Sequence, residues 1–123
     1  MMLGIGSDIV EVARIRLAVE RHGDRFLQRC FRPDEIALAA RRGAQGAATL
    51  ASRWAAKEAF VKALGAAGPV AYRDVEVVHC DGGPAVLRLH GRAAEALRER
   101  GGGRVLLSLS HEREVALAVV VLD

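Results

Sequence analysis

Arg53-Trp54-Ala55-Ala56-Lys57-Glu58-Ala59-Phe60-Val61-Lys62-Ala63-Leu64-Gly65 is the stretch on which the fold turns. Ala, Leu, Lys, Glu and Arg favour a helix, and Gly65 supplies a stop. On a 3.6-residue wheel the apolar residues keep to no single stripe. Trp54, Phe60, Val61, Leu64 and the alanines go all the way round. A helix apolar on most sides is usually buried. Yet this one carries Arg53, Lys57, Glu58 and Lys62, and Glu58 and Lys62, four apart, share a face. Charge on a buried helix is costly unless a partner or a ligand meets it.

Around this helix the chain has 123 residues, enough for a single domain over 1–123 with one modest core. Half of its residues are apolar but only 4% are aromatic, so the core must be built mainly from Ala, Val and Leu. No apolar run approaches the roughly 18 residues of a membrane span. Met1 to Val10 has no basic region ahead of its apolar residues and contains Asp8, which makes a poor signal peptide. Cys30 and Cys80 lack metal-ligand spacing and read as buried free thiols in a reducing cytoplasm. The net charge of +3 suits an acidic partner or an anionic ligand. Its arginines are scattered rather than clustered with aromatics, which disfavours nucleic acid.

Leu3-Gly4-Ile5-Gly6-Ser7-Asp8-Ile9-Val10 predicts a short strand. Glycine in a strand often marks the close approach of another backbone or a ligand. Asp8 at the strand's end is either a displayed functional side chain or the cap of the next helix. That helix runs from Glu11 to about His22, with Val12, Ile15 and Val19 inward. Arg14, Arg21 and Arg25, with Ala18 between, recur at helical spacing on one exposed face, to be read as a solvated surface or as a docking strip for an acidic helix. Gly23 breaks the helix, and Asp24 caps a short turn carrying Phe26 and Leu27. Pro33, Asp34 and Glu35 start a helix toward Arg41, a loop follows over Arg42 to Gly46, and Thr49 or a neighbour opens the central helix.

After a loop over Ala66-Ala67-Gly68-Pro69 come strands at Asp74–Val78 and Ala85–Leu89, joined by a turn over Asp81-Gly82-Gly83-Pro84. Gly91 to Arg100 is a short helix with Ala93, Ala94 and Leu97 inward. Strands over Val105–Leu109 and Val115–Leu122 are joined by a turn at His111-Glu112-Arg113-Glu114, and the last strand reads as buried on both faces. The order predicts an α+β domain, a mostly antiparallel sheet with the long central helix packed on one face.

Asp8, Glu58, Lys62 and the Ser108-Leu109-Ser110-His111 strand end are the candidates for chemistry. Two carboxylates without a Cys or His cluster suit a hard cation such as Mg²⁺, which leaves coordination positions for substrate phosphates and water. Lys62, with Arg53 and His111, would neutralise phosphate charge. Taken singly, Glu58 and Lys62 make an ordinary helical ion pair of little net value. Together on an apolar helix these residues point to a metal–phosphate site.

Gly4-Ile5-Gly6-x-Asp8-Ile9-Val10-Glu11-Val12-x-Arg14-Ile15 resembles the opening signature of the holo-[acyl-carrier-protein] synthases, the small 4'-phosphopantetheinyl transferases. The stretch from Arg53 to Gly65 is similar to their central signature. Arg73-Asp74-Val75-Glu76-Val77, the Gly83-Pro84 turn and Ser108-x-Ser110-His111 match later landmarks, so the resemblance runs in order along nearly the whole chain. It departs from the family at Trp54, where Phe is commoner, and at Ala66-Ala67-Gly68-Pro69, where the family often has Thr-Gly.

The resemblance implies the 4'-phosphopantetheinyl transferase fold and a cytoplasmic enzyme. It would move 4'-phosphopantetheine from coenzyme A to a serine of an apo acyl carrier protein, releasing adenosine 3',5'-bisphosphate, in fatty-acid or polyketide synthesis. It implies Mg²⁺ on Asp8 and Glu58, and coenzyme A on Arg53, Lys62, Gly65 and His111. Arg14, Arg21 and Arg25 would dock the carrier. It also implies a homotrimer with each site at a subunit interface. The serine proton would go to Glu58 or to a carboxylate acting through a metal-bound water. Two other functions compete. One is a different metal-dependent phosphotransferase or nucleotide hydrolase using Asp8, Glu58 and Lys62. The other is a non-catalytic basic domain that binds acidic proteins or RNA through the Arg14 face.

Overall fold

A central helix laid across the end strand of an antiparallel sheet organises the molecule. The computed structural model describes residues 1–65, 68–79 and 82–123. In chain order come β1 (Gly4–Glu11), α1 (Val12–His22), α2 (Asp24–Cys30), α3 (Pro33–Arg41) and α4 (Gly46–Leu64). A 3-10 turn at Tyr72–Asp74 follows, then β2 (Val75–His79), β3 (Ala85–Leu89), α5 (Gly91–Glu99), β4 (Val105–Glu112) and β5 (Val115–Leu122). One sheet has the order β1-β5-β4, and a second is the β2-β3 hairpin. All pairings are antiparallel.

The glycines of β1 explain how α4 comes so close. A Cβ on Gly4 would strike the backbone carbonyl of Ala63, and one on Gly6 the carbonyl of Ala59. The helix backbone therefore lies directly on the strand, which is the close approach that the Gly-x-Gly pattern predicts. Alternation then sends Asp8 and Val10 toward α4, and Ile5, Ser7 and Ile9 away from it. Register carries both faces across the sheet. Ala116, Ala118, Val120 and Leu122 of β5 are buried under α4, while Leu117 on the opposite face is exposed. Phe31, Phe60, Ile15, Leu64 and Val75 complete the fully buried core. Among the described residues, no helix is long and apolar enough to cross a membrane.

Several expectations need correction. The last strand alternates, with one buried face and one half-exposed. The central helix opens at Gly46, ahead of Thr49, after a 3-10 turn at Gly43–Gln45. The turn after Gly23 grows into the two-turn helix α2. Ala96 rather than Ala94 joins Ala93 and Leu97 on the inner face of α5. β4 continues through His111 to Glu112, so the final turn is only Arg113 and Glu114. The loop expected over 66–69 and the turn over 81–84 lie partly outside the described residues, and Cys80 lies wholly outside them. Cys30 is half-buried, and that burial pushes its thiol pKa up.

Candidate active site

Asp8 is not a helix cap. α1 begins four residues later, behind Glu11, and its cap position has no side-chain hydrogen bond. Asp8 turns instead toward α4, where Lys62 Nζ donates to its Oδ1 at 3.2 Å and to the Ser7 carbonyl at 3.1 Å. Lys62 thus bridges to β1, and among the described residues it makes no ion pair with Glu58 along its own helix. The second oxygen, Asp8 Oδ2, is buried and has no hydrogen-bond partner among the described residues. A buried carboxylate oxygen left unpaired is costly. In this position it asks for a cation or a donor that the folded chain does not itself supply.

Glu58 lies half-buried on the same side of α4. Trp54, one turn earlier, takes the Arg14 guanidinium over its ring at 5.0 Å and meets the Tyr72 ring edge-on at 6.0 Å. Burial, and then hydrogen bonding toward the Glu58 carboxylate, raise the Tyr72 phenol pKa well above its ordinary value. The charge of Asp8 adds to that rise, so Asp8, Glu58 and Tyr72 form one neighbourhood. The phenol stays protonated, the form that can donate a hydrogen bond. Tyr72 carried no signal in the sequence, because it lies in the short turn ahead of β2 and its neighbours on α4 are far away in the chain.

The donor set fits a hard divalent cation. Asp8 Oδ2 has no partner among the described residues and Glu58 shares the neighbourhood of Tyr72 with it, and Mg²⁺ commonly needs only one or two protein carboxylates beside phosphate and water. Among the described residues no group of three or more His, Cys, Asp or Glu forms a fuller metal cage.

Arg53 and His111 belong to a different place. Nine residues separate Arg53 from Lys62, two and a half helical turns, which sets them on opposite sides of α4. His111 is exposed at the end of β4, on the side of the sheet that carries its register partner Ala116. Both line a cavity of 530 Å³ with Arg42, Thr49, Ser52, His79 and Arg113. Arg53 is buried, and its Nε and Nη2 have no partner among the described residues. Burial, then the charge of Arg42, lower its pKa. Burial and both arginines likewise lower the His79 pKa. Positive charge gathered around the unfilled Arg53 donors suits an anion. Arg42, His79 and Arg113 escaped sequence reasoning because they come from a loop, a strand end and a turn far apart in the chain.

Lys57 has no exposed side-chain surface at all. Its Nζ donates to Glu35 Oε1 at 2.9 Å and to the carbonyls of Val75 at 2.6 Å and Tyr72 at 3.1 Å. Glu35 also accepts the backbone N–H of Arg32 at 2.9 Å and, through Oε2, that of Val77 at 3.1 Å. Gly65 follows the end of α4, where Arg100 donates to the Leu64 carbonyl at 2.8 Å and also bonds the Leu3 carbonyl.

The expected arginine strip is split. Arg14 and Arg21 lie on α1, whereas the chain turns at Gly23 and Arg25 belongs to α2. All three are exposed, but one helical period does not run through them. Lys62 is also exposed, so the Asp8–Glu58–Lys62 face is open rather than sealed within the chain.

Residues 4–120 match the family model of the 4'-phosphopantetheinyl transferase superfamily. The chain is 52% identical over 124 residues to the holo-[acyl-carrier-protein] synthase of Halorhodospira halophila, across 99% of this chain and 98% of that protein. The crystal structure of the holo-[acyl-carrier-protein] synthase from Neisseria meningitidis matches at a TM-score of 0.89 and 34% identity, covering 100% of this chain and 99% of that one. The Helicobacter pylori holo-[acyl-carrier-protein] synthase, solved in complex with coenzyme A, matches at 0.82 and 30% identity, covering 97% and 99%.

Proposed function

Because the chain belongs to the 4'-phosphopantetheinyl transferase superfamily, and within it to the holo-[acyl-carrier-protein] synthases, we propose that it transfers 4'-phosphopantetheine from coenzyme A to a serine of an apo acyl carrier protein with the help of Mg²⁺. The reaction serves fatty-acid or polyketide synthesis in the cytoplasm, and residues 1–123 act as one transferase domain. The observation that carries this reading is the buried Asp8 Oδ2, without a partner among the described residues, beside Lys62, on the face that Glu58 shares.

Asp8 and Glu58 would hold the metal, which when bound neutralises charge on the coenzyme A pyrophosphate. The serine Oγ forms a bond to the phosphorus that carries pantetheine, and the pyrophosphate P–O bond breaks. Adenosine 3',5'-bisphosphate leaves with the electron pair. Lys62, exposed on the rim, contacts the phosphate on which charge grows and stabilises it more in the transition state than in the ground state. Glu58 takes the serine proton. Arg14, stacked over Trp54 one turn from Glu58, would meet the acidic carrier, with Arg21 on α1 and Arg25 on α2 as further contacts.

Arg53, His111 and Gly65 are read as the remaining coenzyme A contacts. Arg53 and His111 sit on the far side of α4 from Lys62, which supports a site shared between copies: one protomer supplies Asp8, Glu58 and Lys62, the next supplies the basic cavity. The outward sheet face supports the same reading. It presents Ile5 at 61% exposure, Ile9 at 67% and Leu117 at 37%, an apolar patch suited to a homotrimer interface.

Incubation of the full chain with coenzyme A, Mg²⁺ and an apo carrier should add one phosphopantetheine to the carrier by mass, and a chelator should stop the gain. No gain with several carriers would sink the proposal. Reversing Arg14 and Arg21 to Glu should weaken carrier binding and spare coenzyme A binding. Equal loss of both counts against a separate docking face.

A further inference from the structure

Lys57 is the motif residue to which the proposed chemistry gives no role. Its ammonium has three protons, and Glu35 and the carbonyls of Tyr72 and Val75 use all three. The Phe31 ring closes the site 5.3 Å from Nζ. Nothing is left over for a ligand. A buried ion pair is weak as a source of stability, since an apolar pair of similar volume often does as well, but it can fix one arrangement of the chain.

The arrangement that it fixes lies beside Glu58. Two of the three acceptors are the carbonyls of Tyr72 and Val75, at either end of the 3-10 turn and its exit into β2. Glu35 adds the Val77 N–H. Residues 72–77 are therefore bonded to α3 and α4 at Tyr72 itself and at two points just downstream of it. That side chain lies edge-on to Trp54, interplanar angle 78°, and Trp54 and Glu58 share a helix face one turn apart. Lys57 is next to Glu58 in the chain but points to the other side of this seam, into the interior.

We infer that Lys57 is a positioning residue for the transfer: by holding the Tyr72 carbonyl it seats the Tyr72 hydroxyl beside Glu58, where it donates to the carboxylate and sets its direction toward the reacting serine. This rests on the function proposed above. Lysine is specific to the task. Methionine fills the same space but leaves both carbonyls without a donor and frees the turn.

The test is steady-state kinetics of wild type, Tyr72→Phe, Lys57→Met and the double variant, with the emission of Trp54, the only tryptophan, as a local probe. Tyr72→Phe should lower kcat about tenfold, the loss of one hydrogen bond to a charged group. KM for coenzyme A should stay within about twofold of wild type. Lys57→Met should lower kcat by about 10²-fold, again without a matching change in KM, and should shift Trp54 emission in the folded protein. The double variant should be no worse than Lys57→Met alone, because the two residues act in series. Multiplied losses overturn the inference. So does a Lys57→Met protein that melts earlier but keeps wild-type kcat well below its midpoint, or a Tyr72→Phe protein with unchanged kcat. Should Lys57→Met fail to fold, Glu35→Gln replaces it under the same criteria. Wild type that modifies no carrier sinks the function itself, whereas active wild type with indifferent variants sinks only this inference.

Discussion

Two lysines five residues apart on α4 each meet a carboxylate from another element, and they do opposite work. Lys57 and Glu35 meet at 2.9 Å with side-chain exposures of 0% and 1%, and the surrounding backbone takes up their remaining hydrogen-bonding capacity. Lys62 and Asp8 meet at 3.2 Å with exposures of 53% and 12%, and one Asp8 oxygen stays unpaired. The first pair is closed and holds three elements together. The second is open and waits for what the chain lacks. A saturated pair reports on architecture, whereas an unsaturated one reports on a ligand.

The sharpest way to break this contrast is at the open pair. Asp8→Ala should reduce transfer by 10³-fold or more, on the order of the largest metal and acid–base contributions. Its stability should stay within about 1 kcal/mol of wild type, because removing an unpaired buried oxygen relieves a cost. A large fall in melting temperature would mean that Asp8 is structural after all. The converse belongs to the closed pair. Glu35→Ala should destabilise by about 3–5 kcal/mol in chemical denaturation, since it strands a buried ammonium. A loss below about 1 kcal/mol would show that the Lys57 network is dispensable.

Arg53 extends the comparison to a buried cation that makes no ion pair among the described residues, although Glu35 lies within electrostatic reach. Arg53→Met removes two buried, unsatisfied donors. Coenzyme A binding should weaken roughly 10- to 100-fold by calorimetry, the worth of charge-assisted hydrogen bonds, with stability unchanged or improved. Unchanged affinity would remove the cavity from the site. The smallest effect concerns His79, whose protonation burial and the charges of Arg53 and Arg42 oppose. An anion in the cavity cancels that positive charge and raises His79 toward its ordinary range. Binding near pH 6–7 should therefore take up a fraction of a proton, and affinity should gain from this group as pH falls. Heats measured in buffers of different ionisation enthalpy should show more uptake in wild type than in His79→Ala.

Much of this was legible without coordinates, for a local reason. The Gly-x-Gly of β1 announced a backbone contact, and Gly4 and Gly6 do lie against the carbonyls of Ala63 and Ala59. Helix propensity, the Gly65 stop and the turn residues marked most elements because each acts within a few residues of itself. Asp8, Glu58 and Lys62 could be named as a group from residue type and resemblance. Arg25 shows where periodicity misleads: spacings of three and four continue through Gly23 on paper, but the helix does not.

By itself the amino-acid sequence determined the α+β class, the apolar central helix and the chemical kinds of residue available to a site, because propensity and spacing are properties of neighbours. Only the tertiary structure decided what each charge on that helix meets. Lys57 and Glu35 are 22 residues apart in the chain, and their bond depends on how α3 and β2 pack on α4. Tyr72 meets Trp54, one turn from Glu58, through that same packing, and Arg42, His79, Arg53 and Arg113 share a cavity through sheet register and helix rotation. Those distances follow from burying the whole core at once, a condition that no short window of sequence contains.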